Sequence, residues 1–129
     1  MSSVNPIEAV QTASELISAY RIGQRNFTNL SLPAADLSGI DLKGADLSYA
    51  DFSGANLSQA NLRGADLSYA RLCDADLTGA DLRGTMLIAT DLREAKLTHA
   101  QFQEADYDPD ETHFPAGFDL AAAHLRAIR

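Results

Sequence analysis

Cysteine is nearly absent from these 129 residues. With Cys73 alone, no intramolecular disulfide closes the chain. Long apolar runs are missing too, and no stretch approaches the ~18 apolar residues that a membrane-spanning helix requires. The opening, MSSVNPIEAVQTASEL, has no basic region followed by an apolar run. No secretory signal is expected, and the cytoplasm is the expected location. Positive charge is scarce: 10 Lys and Arg stand against 18 Asp and Glu, for a net charge of −8. That balance argues against direct binding of nucleic acid or anionic membrane, which need basic patches.

The marks of catalysis are also missing. His99, His113 and His124 have no spacing that suggests a shared metal site, and no second thiol joins Cys73. Asp74 and Asp76 lie close to Cys73 and disfavour its thiolate. Glycines recur every five or ten residues, not as a G-x-G-x-x-G loop opening a helix. The serines have no evident base partner. The expectation is a protein that is not an enzyme and holds neither cofactor nor metal.

What is present is a period of five. Leu, Phe or Tyr stands at 27, 32, 37, 42 and every fifth position onward to 107. Two residues before most of these sits Ala, as at 45, 50, 55, 60 and 65, and between them is usually Asp or Asn. Apolar residues make up 46% of the chain, enough for a continuous core in one folded unit. A helix cannot bury this pattern, because five residues advance each Leu by roughly 140°. A long strand fails as well, because five is odd and successive leucines would alternate faces.

A turn inside every repeat removes the conflict. Ala45 and Leu47 both point inward from a short extended segment, and Asp46 between them points out. The chain then bends at Ser48 and Tyr49, bringing Ala50 and Phe52 inward again. The last repeat position is Gly at 39, 44, 54, 64, 79 and 84, as the second central residue of a type II turn prefers. Pro33 stands at a first central position. Ala65→Leu should therefore overpack the interior, while Asp66→Ala, on the outside, should cost little.

These A(D/N)LxG repeats, over about residues 25–108, resemble the pentapeptide-repeat family, in particular its small cyanobacterial members. The resemblance implies an all-β solenoid, a right-handed quadrilateral β-helix in which four repeats make one coil of twenty residues. About seventeen repeats then give roughly four coils, a stack about 20 Å tall at ~4.8 Å per level. The expected organisation is a helical cap over 1–24, the β-helix over 25–108, and a loop with a short helix as the second cap over 109–129. For the first helix, Asn5 is the expected N-cap, Pro6 the first helical residue and Gly23 the stop, with Ile7, Val10, Ile17 and Tyr20 docking on the core. For the second, Asp119 caps LAAAHLRAIR while Phe114 and Phe118 cover the last coil.

Twenty residues per coil turns the sequence into vertical columns, in which n stacks on n+20. Tyr49 and Tyr69 then stand in one column below Ala89. The deviant repeat TMLIA places Met86 and Ile88 at outward positions beside them, a candidate exposed apolar patch. Lys43, Arg63 and Arg83 form a basic stripe suited to an acidic partner. Asp51, Arg71 and Asp91 form a ladder of alternating sign. Two functions compete. One is a protein-interaction module or rigid scaffold with a protein partner, as a monomer or weak dimer. The other, implied by the family resemblance, is an acidic DNA mimic that occupies DNA gyrase. At ~3.4 Å per base step, a stack this short matches only some six steps of duplex.

Overall fold

The backbone hydrogen bonds of residues 46–50 show how five residues make one side of a coil. Asp46 N–H donates to the carbonyl of Arg25 in the coil before (2.7 Å). Leu47 and Tyr49 N–H donate to Asp66 and Ser68 in the coil after (2.8 and 3.0 Å). Ala50 N–H closes the turn onto Leu47 O (3.1 Å). The fifth, Ser48 N–H, donates to the Asp46 side chain, Oδ1 (3.0 Å). Every N–H of the repeat has a partner, as buried backbone demands. The carboxylate is thus a structural acceptor, which corrects the expectation that Asp66→Ala would cost little: Ser68 N–H donates to Asp66 Oδ1 at 2.9 Å.

The structure, a computed structural model, describes residues 10–128. Parallel bridges join residues twenty apart on four sides, as in Asn26↔Asp46↔Asp66, Asp51↔Arg71↔Asp91, Asn56↔Asp76↔Lys96 and Asn61↔Asp81↔Gln101. The lumen is filled by Phe27, Phe52 and the leucines, with Leu42, Leu47, Leu57, Leu62, Leu67, Leu72, Leu77 and Leu82 fully buried. Alanines 45–80 of the repeat complete that core at 1% exposure or less. Each fully buried Leu contributes roughly 1.5–3 kcal/mol. Thr85 and Thr90 replace Ala in the interior and donate their hydroxyls to the carbonyls of Leu82 (2.8 Å) and Leu67 (2.7 Å). A single five-residue rule therefore builds both a dry interior and a saturated backbone.

Helix α1, Ala13–Arg21, starts later than the sequence suggests. Thr12 is its N-cap, with Glu15 N–H donating to Thr12 Oγ1 (3.1 Å) and Gln11 N–H to Glu15 Oε1 (2.8 Å). This is a T-x-x-E capping arrangement that the more visible Asn-Pro pair obscured. Asn5, Pro6 and Ile7 lie outside the described residues. Gly23 ends the helix as expected. At φ +101° it donates to Tyr20 O (3.0 Å) while Gln24 N–H reaches Ala19 O (3.0 Å), a Schellman closure. Leu16 and Ala19 join the core with Val10, whereas Ile17, expected to dock, is exposed. Tyr20 docks by its hydroxyl, which donates to Lys43 O (2.7 Å).

At the other end the chain goes on pairing beyond residue 108. Asp91 pairs with His113, an offset of 22, yet Arg126 returns to an offset of 20 against Asp106. Two residues gained between Asp106 and His113 are given back between His113 and Arg126. The result is a three-stranded parallel sheet of β1 (Met86–Leu87), β2 (Asp106–Tyr107) and β3 (Arg126–Ala127). The helix expected from Leu120 onward is the single turn α2, Leu120–Ala123, capped by Asp119 and stopped by His124 at φ +59°. Strand pairing and the Arg126–Asp106 ion pair (2.9 Å) override the helix propensity of this stretch. Phe118 stacks on Phe114 (4.8 Å) and meets Phe102 edge-on (5.4 Å), closing the lumen with aromatic rings.

A stacked tyrosine corner as candidate interaction surface

Every corner is turned by a residue with φ near +60°. Glycine occupies six of these positions in the repeats, including Gly44, Gly64 and Gly84. Tyr49 (φ 63°) and Tyr69 (φ 62°) occupy two others. For an L-residue this conformation costs roughly 1–2 kcal/mol, so both rings are carried on strained backbone. The twenty-residue register sets them one above the other. Their rings stack at 4.9 Å between centroids and 5° between planes. They remain 56% and 47% exposed. Met86 is 44% exposed, Ile88 is half-buried, and Ala89 follows at the next corner (φ 56°). No described helix covers this patch. Helix α1 faces residues 36–41 across an open cleft of about 470 Å³, and α2 has no buried residue.

Beside the rings, Asp66 and Ser68 break a pattern kept elsewhere. Ser38, Ser48, Ser53, Ser58 and Thr78 each donate the hydroxyl to the Asp or Asn two residues earlier, at 2.6–2.8 Å. Ser68 donates its N–H but not its hydroxyl, which is buried without a partner. Asp36, Asp51 and Asp76 are held below the usual carboxylate range, first by the Ser or Thr hydroxyl and then by its N–H. The hexapeptide itself gives no signal for the state of Ser68, because ADLSYA stands at both 45–50 and 65–70, and only the repeats stacked on the two copies differ.

The basic stripe is a stripe in position only. Arg83 pairs with Asp81 through two bonds, Nε to Oδ1 (2.9 Å) and Nη2 to Oδ2 (2.7 Å). That bond is the first cause of the lowered Asp81 pKa. Lys43 N–H donates to Asp41 (3.1 Å). Arg63 stands beside a neutral Asn61, whose Oδ1 takes the Arg63 N–H (3.1 Å). Arg63 and Arg83 border an open groove of about 500 Å³ with Gly64, Gly84, Gln101 and Gln103. In the alternating column Asp51, Arg71 and Asp91 stack in register and the Arg71 charge favours the ionised Asp51, but the direct bonds of the acids run within their own turns. Asp91 binds Arg93 through two 2.9 Å bonds, and Asp51 accepts from Ser53.

Among the described residues, no group of three or more His, Cys, Asp and Glu is placed to hold a metal ion. No described helix is long and apolar enough to cross a membrane. Cys73 is half-buried, its thiol 3.5 Å from the Ser53 hydroxyl.

Corners, columns and saturated repeats define a four-sided β-solenoid, and the comparisons name its family. The model described as "Pentapeptide repeats" matches in eight copies, over residues 26–59, 40–79, 55–93 and 75–106. The chain belongs to the pentapeptide-repeat family. It is 48% identical to alr5209, a pentapeptide repeat protein from Nostoc PCC 7120, covering 96% of this chain and 99% of that one at a TM-score of 0.90. It is 35% identical to HetL, a Nostoc pentapeptide repeat protein involved in heterocyst differentiation regulation, over 75% of this chain and 47% of that chain (TM-score 0.41). A pentapeptide repeat protein of the Arabidopsis thaliana thylakoid lumen is 33% identical over 67% of this chain and 57% of its own (TM-score 0.48). No functionally curated protein matches the sequence.

Proposed function

We propose that this pentapeptide-repeat protein is a non-catalytic interaction module, a rigid cytoplasmic scaffold that docks a protein partner through the corner formed by Tyr49, Tyr69, Met86 and Ile88. One observation carries the reading: two exposed aromatic rings stack face to face at left-handed corners that elsewhere hold Gly, Ala, Asn, Gln, Asp, Glu or His. A saturated wall also loses little ordering entropy on binding, so an exposed apolar patch on it is an efficient contact. The basic stripe of Lys43, Arg63 and Arg83 serves as a flanking contact for acidic groups of the same partner.

The DNA-mimic alternative is weakened by the columns. The outward column through Asp46 and Asp66 continues to Met86, that through Asp51 to Arg71, and that through Asp76 to Lys96. No outward column among the described bridges carries more than two consecutive acids, whereas a duplex repeats its charge at every step. A supercoiling assay with DNA gyrase should show no inhibition. Affinity capture from the native host, comparing the wild type with a Tyr69→Gly/Met86→Gln variant, tests the main reading. Partners retained by the wild type and lost from the variant support it, and an unchanged partner set overturns it.

A further inference from the structure

We infer that a second contact, independent of the tyrosine corner, lies at the C-terminal end of the solenoid. There the edge formed by residues 95–99 takes an extended segment of a partner protein as one more parallel strand, with Asp or Glu opposite Lys96 and then Leu over Leu97. Three observations meet at this edge. The first is hydrogen bonding. One coil earlier on the same side, Leu77 and Gly79 N–H donate to Lys96 O and Thr98 O (both 2.8 Å), and Lys96 N–H donates back to Ala75 O (2.9 Å). On the outer edge, the N–H groups of Leu97 and His99 and the carbonyl of Ala95 make no hydrogen bond to a described residue. The second is burial. Each repeat leucine from Leu32 to Leu92 is buried, but Leu97 is only partly covered, as is Ala100. The third is space. An open groove of about 290 Å³ separates Ala95, Leu97 and Thr98 from residues 115–119. A turn closed by Phe118 N–H on Pro115 O (3.2 Å), with Gly117 at φ +82°, carries the chain off this side, and Asp119 then caps α2 instead of entering the ladder. The Phe102 N–H is unpaired too, but its ring is buried against Phe114 and Phe118, so the open edge is confined to residues 95–99.

The occupant follows from what these groups bond. An unpaired strand edge is a template for another strand, and extended main chain supplies two acceptors and one donor at the matching spacing. In the register of the earlier coils, the guest residue opposite Lys96 donates its N–H to Ala95 O and accepts from Leu97 N–H. The residue two further on accepts from His99 N–H. The residue between them points inward, so an apolar side chain there covers Leu97 as Leu97 covers Leu77. Lys96 sets the charge. It is exposed and joins none of the ion pairs among the described residues. Opposite charges side by side on paired strands stabilise the pairing, and Asp76 already stands so beside Lys96. Asp119, on the far wall of the groove, is engaged with the Ala122 N–H. End-to-end stacking of a second copy is disfavoured. The carbonyls it would present on this side, Asp36 and Ser38, make no bond to a described residue, but its own α1 faces them across the cleft at residues 36–41. A flexible segment reaches the groove without that obstacle.

The test titrates the isotope-labelled full-length protein with acetyl-Gly-Asp-Leu-Ser-Gly-amide while following backbone amides by NMR. The Leu97 and His99 amides are expected to shift in a saturable way and to exchange more slowly with solvent. The same peptide N-methylated at its Asp loses the bond to Ala95 O and should bind about tenfold more weakly. Lys in place of the peptide Asp should weaken binding several-fold, and Lys96→Glu, a change at an exposed side chain, should reverse that order. Tyr69→Gly should leave every one of these responses unchanged. No saturable shift at millimolar peptide, equal binding of the N-methylated peptide, or a charge preference that survives Lys96→Glu overturns the inference. A response lost in Tyr69→Gly overturns it too, because the contact would then belong to the corner. Leu97 and His99 amides already protected in the dilute free protein would give the edge to this chain's own residues, and protection that grows with protein concentration would give it to a second copy. Either result rejects the partner strand.

Discussion

The hexapeptide ADLSYA occurs twice, at 45–50 and at 65–70, and the two copies do not end in the same state. Both bury their Ala and Leu, and both turn on a tyrosine near φ +60°. Yet the Ser48 hydroxyl bonds to Asp46 while the Ser68 hydroxyl is buried and unpaired. The two copies have different stacked neighbours, in the coil before as well as in the coil after. Residues 46–50 are overlaid by their own duplicate, whereas 66–70 are overlaid by the deviant repeat TMLIA. Local sequence determines the turn and the inward residues, and the stacked neighbour decides the chemistry left on the surface.

Interior substitutions should show the copies at their most alike. Leu47→Ala and Leu67→Ala each remove a fully buried side chain from a dry lumen. Each should lower stability by about 2–5 kcal/mol. Chemical denaturation should place the two midpoints close together. A large gap would mean that the coils are not equivalent in the interior either.

The carboxylates should separate the copies. Asp46 accepts from Ser48 N–H and hydroxyl, with a longer 3.4 Å approach from Thr28, while Asp66 accepts from one N–H. At about 1 kcal/mol per bond, Asp46→Ala should cost about 2 kcal/mol and Asp66→Ala about 1. Asn at either site keeps the N–H acceptor, as Asn56 and Asn61 do naturally. The same turns give a pH signature. In Asp51 and Asp76 the folded pKa lies below its unfolded value. Their contribution to stability is therefore complete above about pH 4 and is lost as the pH falls through the folded values. Thermal melts between pH 6 and pH 2.5 should show less acid destabilisation in an Asp51→Asn/Asp76→Asn variant than in the wild type.

The overlying repeat offers a direct exchange of states. Ile88→Ser gives Ser68 a serine directly above it, as Ser48 has in Ser68. Ser68 should then bond to Asp66, visible as slower exchange of its hydroxyl proton. The net loss of stability should be about 1 kcal/mol, for a half-buried Ile. A Ser68 hydroxyl that stays unpaired would show that Ile88 is not what separates the copies.

Much of this was legible before any coordinates. A period of five with Ala and Leu two apart admits only a short side and a corner, so lumen, columns and tyrosine stack follow. Helix α1 was legible at its stop, Gly23, because one glycine beyond a periodic run has one common use. Its start was not, because Asn5–Pro6 and Thr12–Glu15 are competing caps and only packing chooses between them. At the end of the chain the Asp119 cap and a short helix are legible, but the helix stops at Ala123 because the pairing of Arg126–Ala127 with Asp106–Tyr107 is long-range. At the site the residues were legible and their bonding was not. Arg63, Arg83 and Lys43 line up by arithmetic, but whether each finds an acid depends on the residue two before it, Asn61 in one case and Asp81 in another.

The smallest expected effect is the most informative about the corner. Tyr49→Gly places at residue 49 the residue that φ +63° favours, which should recover roughly 1–2 kcal/mol of backbone strain. It also deletes the stack on Tyr69, worth about 0.5–1.5 kcal/mol. The two changes nearly cancel, so the melting midpoint should move little in either direction. Tyr49→Ala loses the same stack and keeps the strained backbone, so it should be less stable than the glycine variant by about the strain alone. Glycine and alanine variants of equal stability would show that the corner holds its tyrosines without strain.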